Sequence, residues 1–323
     1  MLKSLTTTLL CTNSLLCSIR GSNSAIYSKS LLLRHMASGG VVNTEFDEYY
    51  NFALKIAREG GKVAQTALKQ TEKPTFVEKT CSSDVVTKTD VEVEKLLFDR
   101  IRKMYPAHSL IGEESVDTSE TACKLTGNPT WIIDPIDGTS NFVHGFPFVA
   151  ISIGLWIDKK PAIGIIYNLI LDQMYSACRG KGATLNGEKI HVSGQTDLNK
   201  AFIMCEWGSQ RVIEWATSNR DNMFSLATAP NQCHGLRSLG SSALNICMVA
   251  SGCADAYYET GLHCWDMAAG ILIIEESGGV CMDIEGGELD LMSRRLLCCS
   301  TPVLAKEIVK KTKPLSLKRD DEN

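Results

Sequence analysis

The sequence predicts an α+β fold with layered sheets, because long amphipathic helices and antiparallel hairpins share one chain and no period suggests repeats. Three observations lead there. Apolar residues recur at helical spacing over two long stretches, the run from Phe148 to Tyr167 breaks at a polar turn, and Pro or Gly-Gly marks helix ends.

The first helix is expected from Thr44 to about Gln70, with Thr44 and Asp47 spaced as a capping box and Phe46, Tyr50, Ala53, Leu54, Ala57 and Ala64 on one face. A second begins near Thr89, buries Val93, Leu96, Leu97, Ile101 and Met104, and stops before Pro106. Two short strands follow, Ser109 to Gly112 and Trp131 to Ile133, each with acidic residues at its carboxyl end. Phe148 to Ile157 and Pro161 to Tyr167 form a hairpin about Asp158-Lys159-Lys160. A small-residue helix at Ser241 to Ser251, a strand around Ala254 to Glu259, and a helix from about Trp265 to Gly278-Gly279 complete the pattern.

With 323 residues and 44% hydrophobic content, the chain can bury one large core or two smaller ones sharing an extended sheet. Its formal charge of -4 gives no attraction to nucleic acid or to an anionic membrane surface. A phosphorylated ligand therefore needs local positive charge, which a bound metal supplies. No apolar run is long enough to span a bilayer, so a soluble protein is expected. The 13 cysteines are scattered, many in apolar stretches (Cys205, Cys247, Cys281, Cys298, Cys299), and none forms a C-x-x-C pair. They read as reduced thiols in a reducing compartment.

Residues 1–43 differ from the rest. Lys3, Arg20, Lys29 and Arg34 are interspersed with Ser, Thr and Leu, and no acidic residue precedes Glu45. The stretch reads either as a mitochondrial transit peptide or as the product of an upstream start codon, with Met36-Ala37-Ser38 as the initiator of a compact protein. Residues 44–323 form the folded domain; the expected location is cytoplasmic, or mitochondrial if the extension acts in import.

Four segments carry carboxylates near the ends of apolar strands or helices: Asp84 to Asp90, Gly112-Glu113-Glu114-Ser115, Asp134-Pro135-Ile136-Asp137-Gly138-Thr139, and Cys264-Trp265-Asp266. Singly, each has an ordinary explanation: Asp-Pro makes turns, Asp90 and Asp266 can cap helices, and Glu113-Glu114 can be a solvated loop. Together they call for a cation, since unpaired charge near a core is costly and the only nearby cationic side chains are Lys79 and Lys88. Carboxylate and carbonyl oxygens suit hard Mg2+, and the lack of clustered Cys or His argues against zinc or copper. A turn made rigid by Pro135 can aim Asp134, Asp137 and the Ile136 carbonyl at one point. Gly138-Thr139 then allows close approach and opens a helix whose free N–H groups suit a phosphate oxygen. Metal ligands beside an anion cradle are the parts of phosphoryl hydrolysis.

The strings Gly112-Glu113-Glu114-Ser115, Trp131-Ile132-Ile133-Asp134-Pro135-Ile136-Asp137-Gly138-Thr139-Ser140-Asn141-Phe142 and Trp265-Asp266-Met267-Ala268-Ala269-Gly270 resemble the three signatures of the inositol monophosphatase family. The likeness runs from about Glu45 to Asn323 and includes Asp255 to Glu259 and Asp290 to Arg295. It implies a layered α-β-α-β-α sandwich of the inositol monophosphatase and fructose-1,6-bisphosphatase type, a homodimer, and a Mg2+-dependent, lithium-sensitive phosphatase supplying free inositol. Carried over by residue, it implies that Glu113, Asp134 and the Ile136 carbonyl hold one Mg2+, and that Asp134, Asp137 and Asp266 hold a second. A third, weaker ion lies near Glu113. A water oriented by Thr139 and Asp90 and assisted by Glu113 attacks phosphorus in line. The substrate meets Asp137, Gly138, Thr139, Gly240, Ser241, Ser242, Glu259 and Asp266. Ser242 stands where the family often has Ala, and Ser140 where it often has Thr.

The nearest rival is a relative acting on a bisphosphorylated nucleotide, an inositol polyphosphate or fructose bisphosphate; the compact core and Glu259 favour the monophosphatase. A non-catalytic homologue is expected to have lost at least one ligand, and none is missing. Because the fold signals begin near Thr44, a chain starting at Met36 should keep full phosphatase activity, measured as phosphate release. Loss of activity on that deletion would show that the extension belongs to the catalytic domain.

Overall fold

The computed structural model describes residues 45–70, 74–79, 82, 84–117, 123–208, 210 and 212–322. The capping box expected at Thr44 falls outside them. Helix α1 (Glu45–Leu68) is followed by the short pair β1 (Phe76–Glu78) and β2 (Val85–Thr87), then by α2 (Lys88–Met104). Next come β3 (Ser109–Gly112), the five-residue α3 (Glu113–Asp117), β4 (Thr130–Asp137) and α4 (Thr139–His144). An antiparallel run, β5 (Ala150–Ile157), β6 (Lys160–Asn168), β7 (Gln173–Cys178), β8 (Ala183–Leu185) and β9 (Glu188–Lys189), completes a seven-stranded sheet ordered β3-β4-β5-β6-β7-β8-β9. The second half contains β10 (Phe202–Cys205), α5 (Ile213–Ala227), β11 (Gly235–Arg237), α6 (Ser242–Ala250), β12 (Ala256–Thr260), α7 (Cys264–Glu276), β13 (Val280–Met282), β14 (Arg295–Cys299) and α8 (Pro302–Val309). Its strands form a five-stranded sheet ordered β11-β10-β12-β14-β13.

Side-chain alternation along the strands builds the layers. On one face of the large sheet, Trp131, Ile133, Ile151, Ile153, Ile163 and Ile165 pack against Ala53, Ile56, Val93 and Leu97 of α1 and α2. On the other face, Ile132 and Ile166 share a core with Leu244, Cys247, Ala268 and Leu272 of α6 and α7, which also covers Met204, Tyr257 and Cys298 of the small sheet. The outer face of the small sheet, with Ile203, Tyr258 and Leu297, is closed by Leu226 of α5 and by Leu304 and Ile308 of α8. The order helix, sheet, helix, sheet, helix is the expected sandwich.

Several elements refine the sequence reading. The hairpin turn is two residues, Asp158 and Lys159, both with positive φ, which matches the twist of the flanking strands. In α2, Leu96 is only half buried, off the face formed by Asp90, Val93, Glu94, Leu97, Phe98 and Ile101, and Met104, the last residue of the helix, is exposed. The strand expected to stop at Ile133 runs on through Pro135 to Asp137. Pairing with β3 ends at Gly112↔Ile133, whereas β5 still pairs Asp134↔Ser152 and Asp137↔Ala150, with a register shift between them. That irregularity accommodates a proline, which has no N–H for the ladder.

Helix α7 approaches the large sheet closely. A Cβ on Gly154 would meet the Ala268 Cβ at 2.9 Å, and one on Gly164 would run into the Ala269 carbonyl oxygen. Ser152 Oγ donates to the Trp265 carbonyl at 3.3 Å and Trp156 Nε1 to that of Ala268 at 3.1 Å, so the helix start is fixed over β5. Gly164→Ala should therefore destabilise the protein by about 1–3 kcal/mol, read as a lower urea midpoint at unchanged slope. A midpoint equal to that of the native chain would mean that α7 is free to shift.

Candidate active site

Parallel pairing brings the acidic segments together. β3 and β4 run side by side with Gly112 opposite Ile133, so the next residues, Glu113 and Asp134, emerge at one edge of the large sheet. In the small sheet β10 and β12 are also parallel, with Cys205 opposite Tyr258, and the next residues are Glu206 and Glu259. All four carboxylates line one cavity of about 880 Å3, together with Asp137, Gly138, Thr139, Gly240, Ser242 and Asp266.

The oxygens of Asp134, Asp137 and Asp266 lie within 4.8 Å of one another. Asp134 Oδ1 accepts the Ile136 N–H at 2.9 Å, the local turn that Pro135 permits. Asp137 is held from behind by the first turn of α6: Ser241 Oγ donates to it, and the Ser242 and Ala243 N–H groups reach it at 3.1 and 3.2 Å. Asp266, in the first turn of α7, accepts the His263 N–H at 2.7 Å. Burial is the main force raising the proton affinity of all three, and repulsion by neighbouring carboxylates, Glu113 among them in each case, adds to it. Asp137 is pushed up to about 6, and Asp134 and Asp266 well above the usual carboxylate range.

Asp90 and Ser241 stand behind the cavity wall. Asp90 is fully buried, accepts the Thr87 N–H at 3.1 Å and the Thr87 hydroxyl, and thereby caps α2. Its other oxygen lies 3.1 Å from Thr139 Oγ1, which is also 3.0 Å from the Ile136 carbonyl oxygen. Burial raises the Asp90 carboxyl to about 6 despite the Thr87 hydrogen bonds. The cap and the site contact belong to one carboxylate, so the two readings of Asp90 were not alternatives.

Glu113 is not in the tight group of three. Its Oε1 accepts Lys79 Nζ at 2.9 Å, and the same ammonium reaches Glu114 at 3.0 Å. Lys88, the other cation considered, is exposed and pairs with Glu92 at 3.3 Å. Glu259 receives the Tyr257 hydroxyl and, at 3.4 Å, that of Ser242; burial and the neighbouring Glu206 raise it to about 8.

Sequence reasoning missed three supports of this site. Glu94, one turn beyond Asp90 on the buried face of α2, accepts the Glu114 N–H at 2.9 Å and the Ser115 hydroxyl, and so fixes the start of α3; a Cβ on Gly112 would block it. Glu206 Oε1 takes the Leu239 N–H at 2.7 Å, the Gly240 N–H at 2.9 Å and Asn245 Nδ2 at 2.7 Å, pinning the loop before α6. Asn141 Nδ2 ties that loop to α4 through the Leu239 carbonyl at 2.7 Å and the Phe148 carbonyl at 2.8 Å. The signal for Glu206 was available: a carboxylate directly after an apolar strand, as at Glu113.

Among the described residues none of the three clustered aspartates has an ion pair. A divalent cation fits them, because an all-oxygen donor set offers what hard ions prefer and their repulsion disappears on binding. The cleft they share, at the strand ends of both sheets, is thus a site for a divalent cation. A family model described as "Inositol monophosphatase family" matches residues 45–316. Inositol monophosphatase 1 of Bos taurus is 48% identical over 278 residues, covering 86% of this chain and 99% of its own. Among solved structures, inositol monophosphatase from Anabaena (Nostoc) superposes with a TM-score of 0.71 at 29% identity, covering 84% of this chain and 99% of its own. Inositol monophosphate bound SaIMPase-II gives 0.66 at 29%, covering 81% and 92%. The chain belongs to the inositol monophosphatase family, and membership implies a divalent cation.

The raised carboxyls bind protons more tightly in the folded chain than in the unfolded one, where their values are near 3.8 and 4.5. Their contribution therefore favours the fold at acid pH and is lost as pH rises through about 6 for Asp90 and Asp137 and about 8 for Glu259. Protein stripped with a chelator should melt at lower temperature at pH 8 than at pH 6, and Mg2+ should raise the melting temperature more at pH 8. The opposite order would mean that these carboxyls are not the groups that limit stability.

Proposed function

We propose that this chain hydrolyses inositol monophosphate to inositol and phosphate in a Mg2+-dependent, lithium-sensitive reaction. The observation that carries the reading is the convergence of Asp134, Asp137 and Asp266 beside Thr139 and Glu113 in one cavity, with Asp90 behind Thr139. Asp134, Asp137, Asp266, Glu113 and the Ile136 carbonyl would hold the metal ions. Bound Mg2+ supplies Lewis acidity and charge for the phosphoryl oxygens.

The chain's own groups do the rest. Thr139 has one hydroxyl proton, given to Asp90 or to the Ile136 carbonyl, so an oxygen lone pair is left for a hydrogen of the attacking water. That fixes the water for in-line attack, and positioning dominates phosphoryl transfer. Asp90, raised to about 6, accepts a proton more readily than an ordinary aspartate. Glu113, held by Lys79, lines the same cavity as Thr139 and assists. Gly138 opens α4 with φ of 86°, and a Cβ there would meet the Phe148 carbonyl oxygen at 2.8 Å, so glycine alone fits this turn on the cavity lining.

In the same cavity Glu259, Ser242 and the Gly240-Ser241 backbone, with Asp137, would bind the ring hydroxyls, the Ser241 side chain lying behind on Asp137. The domain reading is that residues 44–323 carry this activity and 1–43 are an extension, in the cytoplasm unless the extension directs import; cell fractionation tests this. The active form is a homodimer, tested by light scattering in solution.

Purified protein should release phosphate from inositol monophosphate in preference to bisphosphorylated nucleotides, inositol polyphosphates or fructose bisphosphate. A reversed ranking would place the chain with the family's other substrates. Asp134→Asn should lower activity by more than the roughly 10–100-fold typical of indirect metal partners. Its amide oxygen can still accept from Ile136, and a repulsive charge is gone, so the metal-free variant should melt higher than the native chain. Normal turnover at ordinary Mg2+ would contradict the metal assignment.

A further inference from the structure

The carboxyl-terminal tail reaches back to the active site beyond the stretch matched by the family model, which ends at residue 316. The Asp320 side chain is buried, 4% exposed, and both of its oxygens are engaged at the start of α7. Oδ2 accepts the Cys264 N–H at 2.7 Å and Oδ1 lies 2.8 Å from His263 Nδ1. Cys264 N–H is one of the first N–H groups of α7, which have no partner within the helix. Asp266, two residues on, satisfies the His263 N–H. Two carboxylates thus divide the helix start between them, one from within α7 and one from the far end of the chain.

The tail is itself anchored. Asp320 N–H donates to the Met292 carbonyl at 3.0 Å, and Arg319 pairs with Asp290 and, at 2.7 Å, with Asp321. The same loop supplies Arg294, whose left-handed φ of 63° aims its guanidinium at the Gly261 and Leu262 carbonyls, at 3.1 and 3.2 Å. It also lies 3.1 Å from His263 Nε2 and 3.7 Å from Asp320. The geometry is that of an imidazole donating from Nδ1 to Asp320 and accepting at Nε2 from Arg294. So held, the ring stacks on Trp265, 4.5 Å between centroids and 9° from parallel. Residues on both sides of Cys264 are immobilised, and Asp266 follows directly.

We propose that Asp320 is a positioning residue for the metal centre: by holding the first turn of α7, the tail fixes where Asp266 faces Asp134 and Asp137 and so sets affinity for the divalent cation. This rests on the metal reading above. A helix start left without its acceptor frays, and the carboxylate it carries would be held less closely against two like charges. The tail thereby supports the active site through the first turn of α7.

Titration calorimetry of Mn2+ into the metal-free full chain tests this, with Asp320→Ala and Asp320→Asn beside the native protein. Asp320→Ala should bind Mn2+ about tenfold more weakly, and its kcat, reduced at low metal, should recover at saturating metal with KM for inositol monophosphate little changed. Asp320→Asn keeps the size and one acceptor oxygen and should fall between the two; it also serves if the alanine variant does not fold. Mn2+ affinity within twofold of native in the folded variants, even with lower melting temperatures, would overturn the proposal and leave the metal reading standing. No Mn2+ binding by the native chain would overturn both.

Discussion

Three aspartates that repel one another are held within 4.8 Å in a buried corner, and much of the architecture serves to keep them there. No single element could do so. Asp134 comes from the end of β4, where the β5 ladder continues past Pro135. Asp137 is locked by three donors at the start of α6, and Asp266 by the turn that opens α7. The close seat of α7 over Gly154 and Gly164 then brings a helix of the middle layer to the edge of the large sheet. The repulsion is the energetic cost of the arrangement, and a bound cation turns it into attraction.

Both sheets deliver carboxylates by the same device. A parallel strand pair necessarily ends at one edge, so residues that follow paired positions emerge as neighbours. Glu113 and Asp134 leave the large sheet this way, and Glu206 and Glu259 leave the small one. The cavity they line also takes in Lys79 and Thr139, and Glu206 pins the Leu239-Gly240 backbone at it. Antiparallel pairing elsewhere in the large sheet supplies the rigid platform.

How much of this was legible in the sequence depended on the range of the interaction. The layers followed from local periodicity, and the buried face of α1 was readable because Ala53, Ala57 and Ala64 repeat at helical spacing. Asp134, Asp137 and Thr139 sit within a few residues of one another, so their convergence was implied by Pro135 and Gly138. Asp90 and Asp266 were ambiguous between cap and site because each does both, a carboxylate at a helix start having two oxygens to offer. Glu94, Asn141 and Asp320 were not found, since the partners that define their roles lie 7 to 98 residues away in sequence and no local pattern encodes such contacts; Glu206 was overlooked although, like Glu113, it directly follows an apolar strand. Met104 was misplaced for a different reason: its spacing puts it on the same face as Val93, Leu97 and Ile101, but it is the last residue of α2 and lies exposed there.

The central claim is that the clustered carboxylates exist to hold a divalent cation. Anomalous diffraction from crystals grown with Mn2+ tests it directly. The account predicts a strong peak within coordination distance of Asp134, Asp137 and Asp266 together. Saturating Mn2+ with no peak there, or with peaks only at exposed carboxylates, would contradict it.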